Sequence, residues 1–147
     1  MNIDNNNAPL VSIVIPVYNR ENVILETIDS ALSQDYPNFE VVIVDNNSND
    51  KTLKKIGLRK DERLKVFRNN RNIGPVRNWA KAIEYANGEF VKILWSDDLI
   101  EESCVRKLIE GFDNETAFSY STTKIFNKSS SKLRYKSGNS KRIEAKE

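Results

Sequence analysis

The chain has 147 residues, 39% of them hydrophobic and 30% charged, with a net charge of +2 and no histidine. That is enough chain for one packed core, and the lack of histidine excludes His-ligated zinc, Ser-His-Asp triads and histidine general bases. The single cysteine, Cys104, can build neither an internal disulfide nor a thiolate metal site. Any metal therefore falls to oxygen ligands, which suit Mg²⁺ or Mn²⁺, and acid–base chemistry falls to Asp, Glu, Lys or Tyr.

Met1 to Pro9 is Asn-rich and lacks the basic-then-apolar pattern of a secretory signal. Residues 1–8 read as a flexible leader. No apolar run approaches the roughly 18 residues that span a bilayer, and the lone cysteine suits a reducing compartment, so the expected location is cytoplasmic.

Leu10 to Val17 is a β-branched apolar run that reads as a buried strand, with Pro16 marking where its ladder stops. Tyr18-Asn19-Arg20 turns the chain. Val23, Ile24, Ile28, Ala31 and Leu32 then recur at helical spacing up to Gln34, and Asp35 to Asn38 breaks that helix. Phe39 to Val44 reads as a second buried strand, followed by the polar loop Asp45 to Asp50. The end of that loop offers an N-cap to a helix running to about Lys60. Leu64 to Phe67 is a short third strand.

Gly74-Pro75 opens the next helix, with Pro in a tolerated first-turn position. Val76, Trp79, Ala80, Ile83 and Ala86 mark its buried face, and Asn87-Gly88 ends it. Glu89 to Leu94 is a fourth strand, leading into Trp95-Ser96-Asp97-Asp98. Glu101 to Phe112 reads as a helix and Ala117 to Thr123 as a fifth strand. Lys124 to Glu147 holds eight Lys/Arg against two Glu, a basic, weakly patterned tail that reads either as disordered or as holding a strand around Ile125-Phe126. The 123 residues before it are mildly acidic.

Alternating strands and helices, with strands that look buried on both faces, predict an α/β fold with a mostly parallel sheet and flanking helices. Ligands of such sheets bind beyond the carboxyl ends of the strands. Three polar clusters fall there: Tyr18-Asn19, Asp45 to Asp50, and Asp97-Asp98.

Each cluster admits a plain and a chemical reading. Asp97-Asp98 either caps the helix near Glu101 or divides its work between a ribose hydroxyl and a divalent cation completed by a pyrophosphate. Asp45 is either a turn residue or an acceptor for a ribose hydroxyl or a base imide N–H. Arg77, one turn into its helix, is either a surface arginine or a partner for a diphosphate or a site carboxylate, with Asn72 beside it. Tyr18 either lies over the sheet edge or stacks on a base. Asn46, Asn47 and Ser48 read as loop formers, Asp50 and Thr52 as helix-start residues, and Trp79 as core. No G-x-G-x-x-G, Walker A or G-x-S-x-G sequence occurs, which disfavours nicotinamide, P-loop and serine-hydrolase sites.

Taken together, these segments resemble the family 2 glycosyltransferases. Val11 to Asn19 looks like that family's opening strand and nucleotide loop. Val42 to Thr52 looks like its second strand and Asp-x-x-Ser-x-Asp-x-Thr stretch, Asn72 to Asn78 like its Asn-x-Gly then Arg-Asn element, and Gly88 to Val91 leading into Ser96-Asp97-Asp98 like its DxD region. The likeness covers residues 9–123. It implies a Rossmann-like GT-A nucleotide-diphospho-sugar transferase fold, truncated, and a nucleotide-sugar donor, usually a UDP-sugar, with Mn²⁺ or Mg²⁺. Carried over by position, Pro16, Tyr18, Asp45, Arg77 and Asp97 bind the nucleotide and Asp98 holds the metal.

Two departures stand out. Trp95 occupies a position where many members have Asp. Inverting members also need a general base on a later segment, and nothing in Lys124–Glu147 matches such a motif. The resemblance thus implies transfer of a sugar to an acceptor hydroxyl in glycan or polysaccharide synthesis, on a glycan or lipid-linked acceptor. The alternative is a truncated module that binds the donor without transferring it. The basic tail suggests peripheral membrane contact, and its lack of patterned aromatics argues against nucleic acid. Truncation would leave apolar surface bare near Phe118 and Tyr120, favouring self-association or marginal stability.

Overall fold

A computed structural model describes residues 7–113, 116–121, 124–127 and 130–133 of the chain. The element order is β1 (Val11–Val17), α1 (Ile24–Leu32), β2 (Phe39–Asp45), α2 (Thr52–Ile56), β3 (Leu64–Arg68), α3 (Pro75–Glu84), β4 (Phe90–Ile93), α4 (Cys104–Glu110), β5 (Lys124–Asn127) and β6 (Ser130–Leu133). The first four strands form one parallel sheet in the order β3-β2-β1-β4.

β1 and β2 sit in the middle and are buried at every position, in keeping with their Val/Ile-rich sequences. Side chains alternate between the two faces. Val11, Ile13, Ile15, Val17, Val41 and Ile43 meet Ile24, Ile28 and Ala31 of α1, Ile56 of α2, and Val105 and Ile109 of α4. Val14, Val42 and Val44 on the opposite face meet Ala82 of α3. Each fully buried Val or Ile contributes about 1.5–3 kcal/mol, so the larger α1/α4 face supplies most of the core.

The outer strands depart from expectation. β3 and β4 are half-exposed rather than buried on both faces, because each has a partner strand on one side only among the described residues. Pro16 does not stop the β1–β2 ladder, since it pairs with Val44 and Val17 follows it in register. Leu94 N–H donates to Val14 O, so the nitrogen of Pro16, two residues on, faces the same side. β4 has already ended at Ile93 there, and a missing N–H costs no ladder bond.

α3 is turned differently from its apolar stripe. Val76, Trp79 and Ile83 are 67%, 37% and 45% exposed, and the residues it buries are Asn78 and Ala82. Asn78 Nδ2 donates to Val44 O at 3.1 Å. Val91 and Ile93 of β4 are exposed as well. The helix ends at Glu84, before Gly88. That glycine serves a close approach, since a Cβ there would stand 2.6 Å from Ser12 N.

α4 is also shorter than Glu101–Phe112. Residues 117–121 form no strand. Ser119 Oγ donates instead to Leu108 O at 3.2 Å, holding the segment to α4. A strand does occur at Lys124–Asn127, paired antiparallel with Ser130–Leu133, in agreement with the reading of Ile125-Phe126 as strand. Of the expected leader at 1–8, residues 1–6 lie outside the described residues, and Ala8 O accepts from Asn38 Nδ2 at 2.8 Å. Residues 122–123 of the expected fifth strand and 128–129 and 134–147 of the expected tail also lie outside them. No helix among the described residues is long and apolar enough to cross a membrane.

One buried carboxylate ties the sheet together. Glu40 on β2 accepts from Ser12 Oγ of β1 at 2.7 Å, Lys65 Nζ of β3 at 2.6 Å and Asn87 N ahead of β4 at 2.8 Å. Ser12 Oγ in turn accepts from Gly88 N at 2.8 Å. Desolvation works to raise the Glu40 pKa, but the bonds from Lys65, Ser12 and Asn87 outweigh it and lower it to about 2.

Candidate functional site

The parallel sheet brings the carboxyl ends of β2, β1 and β4, three adjacent strands, to one rim. Tyr18 follows β1, Asp45 ends β2 and Asp97-Asp98 follow β4.

The loops after β1 and β2 are bolted together. Asn19 N donates to Ser48 Oγ, Arg20 N to Thr52 Oγ1 and Glu21 N to Asp50 Oδ2. In return Asn49 N donates to Asn19 Oδ1 and Lys51 N to Glu21 Oε2. Asn19 and Asn47 adopt positive φ, 51° and 62°, which asparagine tolerates better than most residues. Thr52 N also donates to Asp50 Oδ1 at 2.9 Å. Asp50 and Thr52 thus serve the start of α2 and the joint between the loops at once. Desolvation works to raise Asp50, and the bonds from Thr52 and Glu21 prevail and lower it.

Asp45 has no exposed surface. Ser48 donates to its carboxylate through both N–H and Oγ, and Arg68 Nε stands 3.4 Å from Oδ2 with its own side chain 48% exposed. The carboxylate therefore lies one arginine below the surface. Arg68, at the end of β3, was not singled out from sequence; only its place at a strand end on the same rim could have flagged it.

Asp97 and Asp98 are both exposed. Asp98 N donates to Trp95 O at 3.0 Å, closing a tight turn. They do not cap α4. Its N-cap is Ser103, without a side-chain cap bond, and Val105 N donates to Gln34 Oε1 at 3.0 Å. The plain reading of the pair as a helix cap fails. Loss of hydration, then the charge of Asp97, pushes Asp98 above the usual carboxylate range, with Lys92 pulling the other way. A cation would relieve that repulsion. No group of three or more His, Cys, Asp or Glu side chains that could hold a metal occurs among the described residues. A hard cation here would thus complete its shell from a ligand, as Mg²⁺ does with phosphates. Arg20 Nε reaches Asp97 Oδ2 at 3.4 Å, joining the β1 and β4 loops.

Tyr18 is 37% exposed at the rim. Pro16 is buried inside β1, so it shapes the rim from below. Arg77 is exposed one turn into α3 and makes no hydrogen bond or ion pair among the described residues. Its helix starts at Gly74, whose φ of 84° and ψ of 159° are essentially reserved to glycine. Trp79 packs against Trp95 with ring centroids 4.7 Å apart, next to Asp97, so it is a rim residue rather than core.

A family model described as Glycosyl transferase family 2 matches residues 12–146. The chain belongs to glycosyl transferase family 2. Within the family it is 34% identical over 122 residues to the Escherichia coli UDP-Glc:alpha-D-GlcNAc-diphosphoundecaprenol beta-1,3-glucosyltransferase WfgD, covering 82% of this chain and 48% of that protein. It resembles S. aureus TarS 1-349 in complex with UDP at a TM-score of 0.64 and 36% identity, covering 68% of this chain and 31% of that one. The mannosyltransferase PcManGT from Pyrobaculum calidifontis, in complex with GDP-Man and Mn²⁺, matches at a TM-score of 0.65 and 28% identity, covering 73% and 33%. The expected GT-A fold is borne out. The chain spans less than half the length of each of these relatives.

Proposed function

We propose that this chain is the donor-binding part of a glycosyltransferase that transfers a sugar from a nucleotide-diphosphate sugar, a UDP-sugar by preference, to an acceptor hydroxyl. The observation that carries this reading is the convergence of Tyr18, Asp45 and Asp97-Asp98 at the carboxyl ends of three adjacent parallel strands, in a chain of this family. WfgD is named for UDP-Glc, and TarS is solved with UDP.

In this reading Tyr18 stacks on the base. Asp45 accepts from the nucleoside once the half-exposed Arg68 guanidinium swings aside, a cheap step for an exposed partner. Arg77 supports the nucleotide pocket, and Asp97 faces the ribose or sugar. Asp98 holds Mn²⁺ or Mg²⁺, whose chemistry is to stabilise the charge that develops on the departing diphosphate. The PcManGT complex with Mn²⁺ supports a divalent ion. The acceptor is a glycan or lipid-linked glycan, as the printed name of WfgD suggests, and the reaction takes place in the cytoplasm, peripheral to the membrane through the basic tail. The units are 9–123 for donor binding, with 1–8 as leader and 124–147 as tail.

A second reading, a module that binds the donor without transferring it, is favoured by the rim itself. Asp45 lies under Ser48 and Arg68, Asp97 pairs with Arg20, and Asp98 is assigned to the cation. None is left facing an acceptor hydroxyl, and we assign no catalytic base. A thermal-shift series with UDP, GDP and ADP, each with Mn²⁺, tests donor binding, since a ligand at about 100 times its Kd adds about 2.7 kcal/mol. A UDP-selective rise in Tm is expected, and equal or absent shifts would count against it. Release of free sugar-acceptor product then separates the two readings.

A further inference from the structure

We infer that Asn46 is a positioning residue of the nucleotide site, setting the start of α3 and with it the direction of Arg77. This inference rests on the donor-binding reading above. Asn46 follows Asp45 directly, is 2% exposed, and its N–H donates to Val17 O at 2.8 Å, so its backbone is fixed to the rim.

Its side chain is fully used. Oδ1 accepts from Asn69 Nδ2 and from Ile73 N, each at 3.0 Å. Nδ2 donates to Asn72 Oδ1 at 2.9 Å and, more weakly, to Gly74 O at 3.4 Å. Asn72 Oδ1 also accepts from Gly74 N at 2.9 Å. Asn69 passes its other proton to Asn78 Oδ1 at 2.8 Å, and Asn78 returns to Val44 O on the strand that carries Asp45. One amide therefore ties the end of β2 to Asn69, Asn72, Ile73 and Gly74 of the loop that enters α3.

The chemistry of this arrangement matters for Arg77. That side chain has no protein partner among the described residues, so only the path of the helix start aims it. Gly74, with its glycine-only backbone, sits at the pivot, and Asn46 holds both sides of it. Asn46 needs both an acceptor and a two-proton donor here. Neither Asp nor Ala supplies the bonds to Asn72 and Gly74, and a carboxylate at 46 would face the Gly74 carbonyl.

The test is a double-mutant cycle on UDP affinity in Mn²⁺, by calorimetry, with Asn46→Asp, Arg77→Ala and both. Amide hydrogen exchange at Ile73 and Gly74 is measured alongside. Asn72→Ala repeats the cut at an exposed position, where no buried cavity opens, should Asn46→Asp not fold. We expect each single change to weaken UDP by about tenfold, the worth of a hydrogen bond to a buried group. The double change should be no worse than about tenfold, because a misaimed Arg77 has little left to lose. Exchange at Gly74, whose N–H loses its acceptor, should quicken in Asn72→Ala, while Ile73 keeps an acceptor in Asn46→Asp. Additive losses, near a hundredfold together, or unchanged affinity in both Asn46→Asp and Asn72→Ala, would overturn the inference while leaving the donor site standing. A folded wild type that does not bind UDP would sink the donor-site reading, and this inference with it.

Discussion

Arg20 Nε stands 3.4 Å from Asp97 Oδ2, and this one ion pair spans the rim between the loop after β1 and the turn after β4. The two side chains are 42% and 52% exposed, although Arg20 Nε itself is buried and makes no hydrogen bond among the described residues. Arg20→Gln should cost less than about 1 kcal/mol of stability. Urea unfolding of the variant checks this, and a loss well above that value would mean the pair is structural rather than a rim contact.

Glu40 makes the opposite case. Its carboxylate is 4% exposed and receives Ser12, Lys65 and Asn87. Glu40→Ala leaves the buried Ser12 hydroxyl and the Asn87 N–H without an acceptor, at about 1–3 kcal/mol for each unsatisfied group. Its folded pKa of about 2 lies below the ordinary 4.5. The stabilisation is therefore fully present above about pH 4.5 and is lost as pH falls toward 2. Wild-type Tm should drop more steeply across that window than the Tm of Glu40→Gln, and parallel curves would contradict the assignment.

The two special glycines separate backbone strain from crowding. At Gly74 nothing lies within 4 Å of an added Cβ, but φ is +84°. Gly74→Ala should cost about 1–3 kcal/mol through strain alone. At Gly88 the added Cβ would meet Ser12 N at 2.6 Å and Leu10 O at 2.8 Å. Gly88→Ala must push β4 off β1 and should be the more damaging of the two. Comparing their denaturation midpoints decides the order.

Large apolar side chains are exposed on several elements: Val76, Trp79 and Ile83 of α3, Val91 and Ile93 of β4, Trp95 after it, and Phe118 and Tyr120. The exposure expected near Phe118 and Tyr120 is present, and the exposed residues of α3 and β4 add to it. The 147-residue chain should self-associate with rising concentration. Ile83→Glu with Ile93→Lys should suppress this in sedimentation experiments. A monomer at every concentration would contradict it.

Much of this was legible in the residues, for physical reasons. The Val/Ile-rich runs of β1 and β2 marked them as buried, and parallel topology then brought the polar loops after them to one rim. The facing of α3 was not legible. Periodicity finds an apolar stripe but not what it packs against, and here the buried positions belong to Asn78 and Ala82 because Asn78 has a backbone carbonyl to satisfy. Asn46, Asn69, Arg20 and Arg68 were missed or read as loop formers because their roles depend on partners 20 or more residues away, which no local pattern encodes. The 117–121 segment alternates apolar and polar residues like a strand, yet no described strand pairs with it.

The most direct measurement is calorimetry of UDP binding with and without Mn²⁺, on wild type and Asp98→Ala. The donor-site account predicts Mn²⁺-dependent binding that Asp98→Ala abolishes, and that weakens as pH falls, because loss of hydration and the charge of Asp97 favour the protonated Asp98 carboxyl. A folded wild-type protein that binds no UDP in either condition, or one whose binding ignores Asp98 and the metal, would contradict it.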